Sequence, residues 1–275
     1  MSNQIKRHFY KNKDYVIDKL NKKVILMPEF FEKLKDKKLW GRFGFKKIGG
    51  SSIGDVLLVD SYKSQFAAFC RISWIGLPIL DRKYVDAGIA IESKVINLIE
   101  EVTKKSVQTF DAVEHNYDYF SDKDEVVGGL PDGYIKETNT ILEIKTTGHK
   151  NLDKWNNYSV PAAYQKQAQL YAYLMNADSF SIVATFLQEQ DYSNPENYPI
   201  KQRKTKNWNF KINRNQAMDD IKKVKDWYNT YTLNGESPQY DEKLDAELLE
   251  WLDVENISEW EALKEKWIQE GKLIV

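Results

Sequence analysis

Asp132, Glu143 and Lys145 lie within residues 128–147, whose sequence is GGLPDGYIKETNTILEIKTT. Side chains alternate between the two faces of a β-strand, so Glu143 and Lys145 are expected to point the same way. Residues 136–139 are polar and turn-prone, and a hairpin that closes there would bring Asp132 alongside Glu143. Two carboxylates suit a hard cation such as Mg²⁺. A lysine beside that cation can orient or deprotonate a water, or neutralise charge on a phosphate.

A plainer interpretation of the same residues is an exposed cross-strand ion pair between Glu143 and Lys145, with a simple turn at Asp132. Two features favour the metal site over this ion pair. Residues 140–147 are rich in side chains that favour β-structure, so they are expected to form a strand rather than a loop. Pro131 and the glycine pair before it are typical of a kinked strand, which can re-aim an acidic side chain towards a site.

Glu92 and Gln167 lie on otherwise apolar faces of two predicted helices. The first helix covers residues 85–103, where Glu92 shares a face with valine and isoleucine side chains. A buried carboxylate is unfavourable unless a metal or a lysine compensates it, although a glutamate at the edge of such a face can also reach solvent. The second helix covers residues 160–177 and has Pro161 near its start, as is typical of a first helical turn.

These residues fall into four short motifs whose order along the chain is similar to that of a known family. The motifs are Gly88-x3-Glu92, Pro131-Asp132-Gly133, Glu143-x-Lys145 and Tyr164-x2-Gln167. Together they resemble the PD-(D/E)xK nuclease superfamily, in particular its lambda-exonuclease and YqaJ-type viral recombinase branch, which is related to the RecB-type nuclease domain. The resemblance covers roughly residues 40–190, and the order of the four motifs is far more specific than any one of them.

The resemblance implies an α/β fold with a restriction-endonuclease-like core, in which helices flank a central mixed β-sheet, and with helical N- and C-terminal extensions. It implies that Asp132, Glu143 and the main-chain carbonyl of Ile144 bind Mg²⁺, for which Mn²⁺ would substitute. Glu92 would bind metal directly or through water. Lys145 would position and help to deprotonate the attacking water. Gln167 would hold either that lysine or the water.

A basic, glycine-rich segment upstream resembles the family's N-terminal glycine-glycine-serine stretch and is expected to bind a DNA phosphate. Its sequence is KKIGGSSIGDVLLVD, and the predicted contacts are Arg42, Lys47, Ser51 and Ser52. Backbone amides at the start of a helix, with cations nearby, form a ready anion site. The family often has an arginine shortly before the serine, whereas Arg42 lies farther upstream.

The activity implied by the resemblance is 5′-to-3′ exonuclease digestion of double-stranded DNA in phage or mobile-element recombination, with single strands passed to an annealing protein. Two alternatives remain open. The same site would also serve a structure- or site-specific endonuclease, or the chain would be a DNA-binding relic without catalysis. The complete set of Glu92, Asp132, Glu143 and Lys145 argues against a relic.

Charge is unevenly distributed along this chain of 275 residues, whose net charge is −1. The first fifty residues contain 14 Lys and Arg against 5 Asp and Glu, whereas residues 241–275 contain 4 against 11. A second basic cluster, residues 201–214, includes Trp208 and Phe210. These aromatic residues would either stack on bases beside phosphate-binding lysines, or pack inward from an exposed strand. The single cysteine, Cys70, excludes an intramolecular disulfide and a cysteine-clustered metal site.

The predicted organisation is a single nuclease domain over residues 1–235, followed by an acidic helical appendage over residues 236–275. Within the domain, the core covers about residues 40–212, and residues 1–40 form a basic, mostly helical extension. The appendage would pack on the core or form a partner or homo-oligomer surface. Predicted strands lie near residues 113–120, 125–136, 140–147, 179–187 and 207–212. No apolar run approaches the length of a membrane span, and no secretion signal begins the chain, so we expect a cytoplasmic protein.

Overall fold

The secondary structure is described by a computed structural model for residues 5–36 and 44–274. In chain order the helices and strands are β1 (Tyr15–Asp18), β2 (Lys23–Leu26), α1 (Pro28–Lys35), α2 (Gly50–Val56), α3 (Gln65–Ile72), α4 (Lys83–Thr103), β3 (Gly133–Ile135), β4 (Thr140–Gly148), α5 (Leu152–Tyr158), α6 (Ala162–Leu174), β5 (Ser179–Leu187), β6 (Lys204–Lys211), α7 (Arg214–Asn234), α8 (Ala246–Leu252) and α9 (Ile257–Gln269). Short 3-10 helices occur in several of the connections.

The chain divides into two units. The terminal unit comprises Met1–Lys47, Asp55–Asp81 and Lys223–Val275, and the central unit comprises Ile48–Gly54 and Arg82–Lys222. All the predicted catalytic residues lie in the central unit.

The central unit is built on a mixed four-stranded sheet with the order β3-β4-β5-β6. Strands β3 and β4 are antiparallel, β4 and β5 are parallel, and β5 and β6 are antiparallel. Helix α4 packs its apolar side, including Ile91 and Val95, against Ile144 of β4 and Val183 of β5. Because side chains alternate along a strand, Glu143 and Lys145 face away from α4 and towards α6, which contacts β4 and β5. The predicted fold class, a mixed sheet flanked by helices, is confirmed.

The N-terminal extension is only partly helical, and the prediction of a mostly helical segment was wrong there. Strands β1 and β2 form an antiparallel hairpin in which Tyr15 and Val24 are completely buried. The turn is closed by the Asp18 side chain, which accepts hydrogen bonds from the amides of Leu20 and Asn21. Both strands are rich in β-branched residues, and β2 alternates in burial, which is a strand pattern. The helix predicted to begin at Pro28 is confirmed as α1.

The predicted strand at residues 113–120 is absent from the structure. The strand predicted at 125–136 is reduced to β3 and two isolated bridges, which pair Ile48 with Val127 and Gln108 with Tyr134. Residues 113–120 form turns instead, in which Tyr117 has a positive φ of 63°. Asp118 stabilises this irregular segment, because its Oδ1 accepts hydrogen bonds from the amides of Phe120 at 3.0 Å and of Gly129 at 2.8 Å. Side-chain to backbone bonding of this kind competes with a strand ladder. The strands predicted at 140–147, 179–187 and 207–212 correspond to β4, β5 and β6.

The C-terminal segment forms two helices, as predicted, and these are α8 and α9 of the terminal unit. They are joined by an aromatic cluster in which Trp251 contacts Trp260 and Trp267, with ring centroids 5.1 and 6.5 Å apart. Among the described residues, no helix is both long and apolar enough to cross a membrane.

Candidate active site

The hairpin formed by β3 and β4 places Asp132 beside Glu143. Gly133 pairs with Leu142, so the next residues outward on the two strands, Asp132 and Glu143, stand opposite each other. Asp132 Oδ2 accepts a hydrogen bond of 2.5 Å from the Ile144 amide. The turn consists of a 3-10 helix over Lys136–Thr138 followed by a residue in the left-handed region. The predicted hairpin and its register are therefore confirmed.

Glu143 is the most deeply placed of the site carboxylates, with none of its surface exposed. Lys145 donates a hydrogen bond to Glu143 Oε1, whereas Glu143 Oε2 is buried and has no hydrogen-bond partner among the described residues. The Lys145 ammonium also lies over the ring of Tyr164, 4.9 Å from its centroid. Burial of this kind excludes the alternative of an exposed cross-strand ion pair.

Glu92 reaches the same group of charges from helix α4. Its pKa is raised to about 7, first by burial and then by the negative charge of Asp132, while Lys145 opposes the shift. One helical turn earlier, α4 packs on β4, where a Cβ at Gly88 would make an ordinary contact of 3.6 Å with Oγ1 of Thr146. The half-buried Glu92 thus faces the hairpin carboxylate rather than open solvent.

The three carboxylates share a shift of pKa in the same direction. Burial, followed by repulsion from Asp132, raises the pKa of Glu143 to about 8, although Lys145 acts against this. Burial also raises the pKa of Asp132. For Lys145, burial alone would lower the pKa, but Glu143 and Asp132 outweigh it, so the pKa is raised and the side chain stays an ammonium. A cluster of acidic groups that resist ionisation is typical of a functional site that takes up a cation.

The donor set fits a hard divalent cation held by few protein ligands. In the described part of the chain, no three His, Cys, Asp or Glu side chains are arranged as a complete set of metal ligands. Mg²⁺, however, needs only one or two carboxylates because it retains several waters. Asp132 and the unpartnered Oε2 of Glu143 supply two. In a strand, the N–H and C=O of one residue point to the same side, so the Ile144 carbonyl also faces the Asp132 side.

Among the described residues, Gln167 is hydrogen-bonded to a tyrosine and not to Lys145, so its predicted role of holding the lysine or the attacking water stays a prediction. Its side chain is hydrogen-bonded to the Tyr171 hydroxyl, one turn farther along α6. That hydroxyl accepts a hydrogen bond of 3.2 Å from the Gly50 amide. A Cβ at Gly50 would lie 2.4 Å from Cγ of Gln167, so only glycine permits this approach.

Tyr171 is the residue near the site that sequence reasoning missed. It is buried, and besides Gly50 and Gln167 it contacts Gly129, where a Cβ would lie 2.5 Å from the hydroxyl. Gly129 has φ +134°, a conformation that favours glycine. Burial raises the pKa of Tyr171, and the negative charges of Glu143 and Asp132 add to this. Its position four residues after Gln167, on the same helical face, is the sequence signal that points to it.

Comparison with known proteins decides the family. The model of the YqaJ-like viral recombinase domain matches residues 39–178, which is just over half of the chain. This chain belongs to the YqaJ-like viral recombinase family. The family and branch inferred from the four motifs are therefore confirmed.

Relatives of this YqaJ-like protein occur in two mycoplasmas. It is 27% identical over 276 residues to the uncharacterized protein MG373 of Mycoplasma genitalium, covering 86% of this chain and 94% of the relative. It is 28% identical over 283 residues to the MG373 homolog of Mycoplasma pneumoniae, covering 87% and 96%. The crystal structure of LHK-Exo in complex with dAMP superposes with a TM-score of 0.50 at 15% identity, over 81% of this chain and 94% of that chain. This last likeness shows the fold.

Three of the four predicted phosphate-binding residues of the YqaJ-like protein lie among the described residues. Arg42 lies outside the described residues. Ser52 is 3% exposed, and its amide is hydrogen-bonded to the Gly49 carbonyl at 3.0 Å, so it is not available to a DNA strand. Ser51 is exposed in the central unit, and Lys47 is half-buried in the terminal unit. A phosphate-binding role for Ser51 and Lys47 stays a prediction.

Proposed function

We propose that this YqaJ-like protein is a DNA nuclease that depends on a divalent cation, Mg²⁺ or Mn²⁺, and digests linear duplexes from their ends in the 5′-to-3′ direction. The observation that carries the proposal is the hairpin cluster, in which Asp132 and the buried Glu143 stand opposite each other beside the Lys145 ammonium. Buried carboxylates with raised pKa values are compensated when a cation binds them, and a phosphodiester is the substrate that such a cation activates.

Each residue of the cluster has a role in this proposal. Asp132, Glu143 and the Ile144 carbonyl would hold the cation, with Glu92 joining them directly or through a water. The cation supplies Lewis-acid stabilisation of charge on the phosphate. The Lys145 ammonium, fixed by Glu143 and the Tyr164 ring, would orient the attacking water and neutralise developing negative charge.

Support for digestion from an end, rather than internal cleavage, comes from the relatives. LHK-Exo is described as an alkaline exonuclease of Laribacter hongkongensis, and its complex contains dAMP. The 5′-to-3′ direction, and the supply of single strands to an annealing protein, rest on the family resemblance. In this role the protein would act in recombination of phage or mobile-element DNA.

The test compares end-labelled linear duplex with closed circular DNA, each with Mg²⁺ and with chelator. Asp132→Ala and Glu143→Ala should abolish cleavage but retain DNA binding, because phosphate contacts elsewhere supply most affinity. Glu137→Ala is the matched control, because Glu137 is an exposed carboxylate in the turn of the same hairpin. Nicking of circular DNA would identify an endonuclease. Undiminished cleavage by the Asp132→Ala variant would overturn the metal site.

Recognition of the DNA end is tested separately with Lys47→Ala combined with Ser51→Ala. If these residues contact a terminal phosphate, the variant should lose activity mainly on duplexes with a 5′-phosphate and little on duplexes with a 5′-hydroxyl. Initial rates on matched duplexes that differ only in this group measure the effect. Equal losses on both substrates would assign the segment a structural role.

A further inference from the structure

We infer that a groove between α5 and β6 binds the backbone phosphates of the DNA that enters the active site. The groove has a volume of about 470 Å³ and is lined by Asn156, Lys204, Thr205, Lys206, Asn207 and Trp208. The inference rests on the proposed function, since it takes DNA as the substrate, and it adds a contact surface outside the carboxylate cluster.

The strand register connects this groove with the catalytic lysine. Lys145 of β4 pairs with Ala184 of β5, which in turn pairs with Lys206 of β6, so the two lysines stand in one row across the same face of the sheet. Two strand spacings separate their backbones by about 10 Å, which is the axial length of about three base pairs of a duplex. A DNA strand held at Lys145 therefore has phosphates within reach of Lys206.

Helix α5 lies over this row and links its two ends through aromatic contacts. The buried Trp155 of α5 meets the ring of Tyr164 at 5.8 Å, beside Lys145, and the ring of Trp208 at 5.9 Å, beside the groove. Two other side chains of α5, Lys154 and Tyr158, are exposed. Helix α5 thus adds an exposed cation and an aromatic residue that is 81% exposed.

The aromatic residues of the basic cluster are half-buried and pack against other aromatic rings, and Trp208 also lines the groove. Phe210 stacks on Phe180 with ring centroids 5.0 Å apart, and Trp208 packs on Trp155. The sequence alone left base stacking and inward packing equally open, and the structure supports inward packing. Recognition by the groove is therefore electrostatic and independent of base sequence.

The two groove lysines differ from other cations of the cluster because no described carboxylate neutralises them. Lys201 is paired with Glu101 at 3.0 Å and Arg203 with Asp191 at 2.7 Å. By contrast, Lys206 donates to the neutral amide oxygen of Asn156 at 2.6 Å, and Lys204 is exposed. Unneutralised ammonium groups around a polar groove are complementary to a polyanion.

The lysines of β6 have a second explanation, and the experiment must distinguish it from DNA binding. Among the described residues, strand β6 has a neighbour only on the β5 side, and lysines on an edge strand also prevent association between sheets. In that case, removal of Lys204 and Lys206 would promote self-association without changing DNA affinity.

The test measures DNA binding at several salt concentrations. A chelator is present throughout, so that no cleavage occurs. Lys204→Ala combined with Lys206→Ala should reduce the slope of log affinity against log salt by about 2, and affinity at about 0.1 M salt by up to about 60-fold, as for two lost phosphate contacts. The matched control is Lys201→Ala with Lys211→Ala, which removes the same charge. Lys211 is in register with Ser179 at the far end of β6, and Lys201 pairs with α4 on the other side of the sheet. The control should retain the parent slope.

A further variant guards against misfolding. Lys204→Arg with Lys206→Arg keeps both charges and should retain both slope and affinity, whereas general damage to β6 would reduce them. An unchanged slope in the alanine variant, or self-association with unchanged affinity, would overturn the inference.

If the parent binds DNA through the groove but fails to cleave it with any divalent cation, the proposed function fails and the groove stands. If the parent cleaves DNA and the alanine variant binds DNA as the parent does, the proposed function stands and the groove inference fails.

Discussion

Metal binding at the hairpin carboxylates should be strongly coupled to pH. Burial, with help from Asp132, raises the pKa of Glu143 to about 8 and that of Glu92 to about 7. A divalent cation binds the ionised form of a carboxylate, so it must displace any proton that the group holds. Lowering the pH through this range therefore weakens metal binding at a site whose ligands would otherwise be fully ionised.

The size of the effect follows from the two pKa values. If both groups must ionise, apparent metal affinity falls about 500-fold from about pH 8 to about pH 6, of which about 50-fold comes from Glu143 and about 10-fold from Glu92. Glu92→Gln should leave only the share of Glu143, about 50-fold. The difference between the parent and this variant measures directly whether Glu92 takes part in binding the cation.

The metal-free protein should show the corresponding change in stability. Both carboxylates have a pKa above the usual 4.5 in the folded state, so folding favours their protonated forms. Their contribution to stability is complete below about pH 4.5 and is lost as the pH rises through about 7 to 8. In the presence of chelator, the melting temperature should therefore fall as the pH rises from about 4.5 to about 8, and it should fall less steeply for Glu143→Gln than for the parent. Saturating Mg²⁺ should remove this difference in the pH dependence of the melting temperature.

Calorimetric titration with Mg²⁺ or Mn²⁺ at three pH values, in buffers of different ionisation enthalpy, measures both the affinity and the protons released. Release of between about one and two protons near pH 6.5 is expected. Glu137→Gln, which removes an exposed carboxylate from the hairpin turn, is the control and should behave as the parent. A metal affinity that is constant from pH 6 to pH 8 would refute the reasoning.

Two further predictions concern the residues around the carboxylates. Lys145→Ala should slow cleavage by about 10²-fold or more, Gln167→Ala should be milder, and the two losses should multiply because no hydrogen bond joins these side chains. Single-turnover rates decide this, since a double variant no slower than Lys145→Ala would mean that the two act as a unit. Gly129→Ala should reduce the free energy of unfolding by about 2 to 3 kcal/mol, because it combines a positive φ with a clash against Tyr171. Gly271→Ala, with a positive φ but open space, should lose only about 1 kcal/mol in denaturant titration, and equal losses would contradict the close approach.

The sequence by itself determined that residues 132–145 form a hairpin and in which order the predicted site residues occur along the chain. The placement of Glu143 and Lys145 on one face of a strand and the turn at residues 136–139 are local features. The structure has a strand, β4, and a hairpin where these features predicted them. Local patterns are reliable here because strand periodicity and turn chemistry act between residues that are near in the chain. The long apolar run of β5 was predicted for the same reason.

Only the tertiary structure decided how deeply the charges lie and which partners they have. The sequence could not show that Glu143 is fully buried, that Gln167 is hydrogen-bonded to Tyr171 or that Trp208 packs inward. The hairpin of β1 and β2 is another example, because it buries Tyr15 in the terminal unit, whose segments are distant in the chain. Burial and hydrogen-bond partners depend on residues brought together from far apart in sequence, and these set both the pKa values of the site and the surface left for DNA.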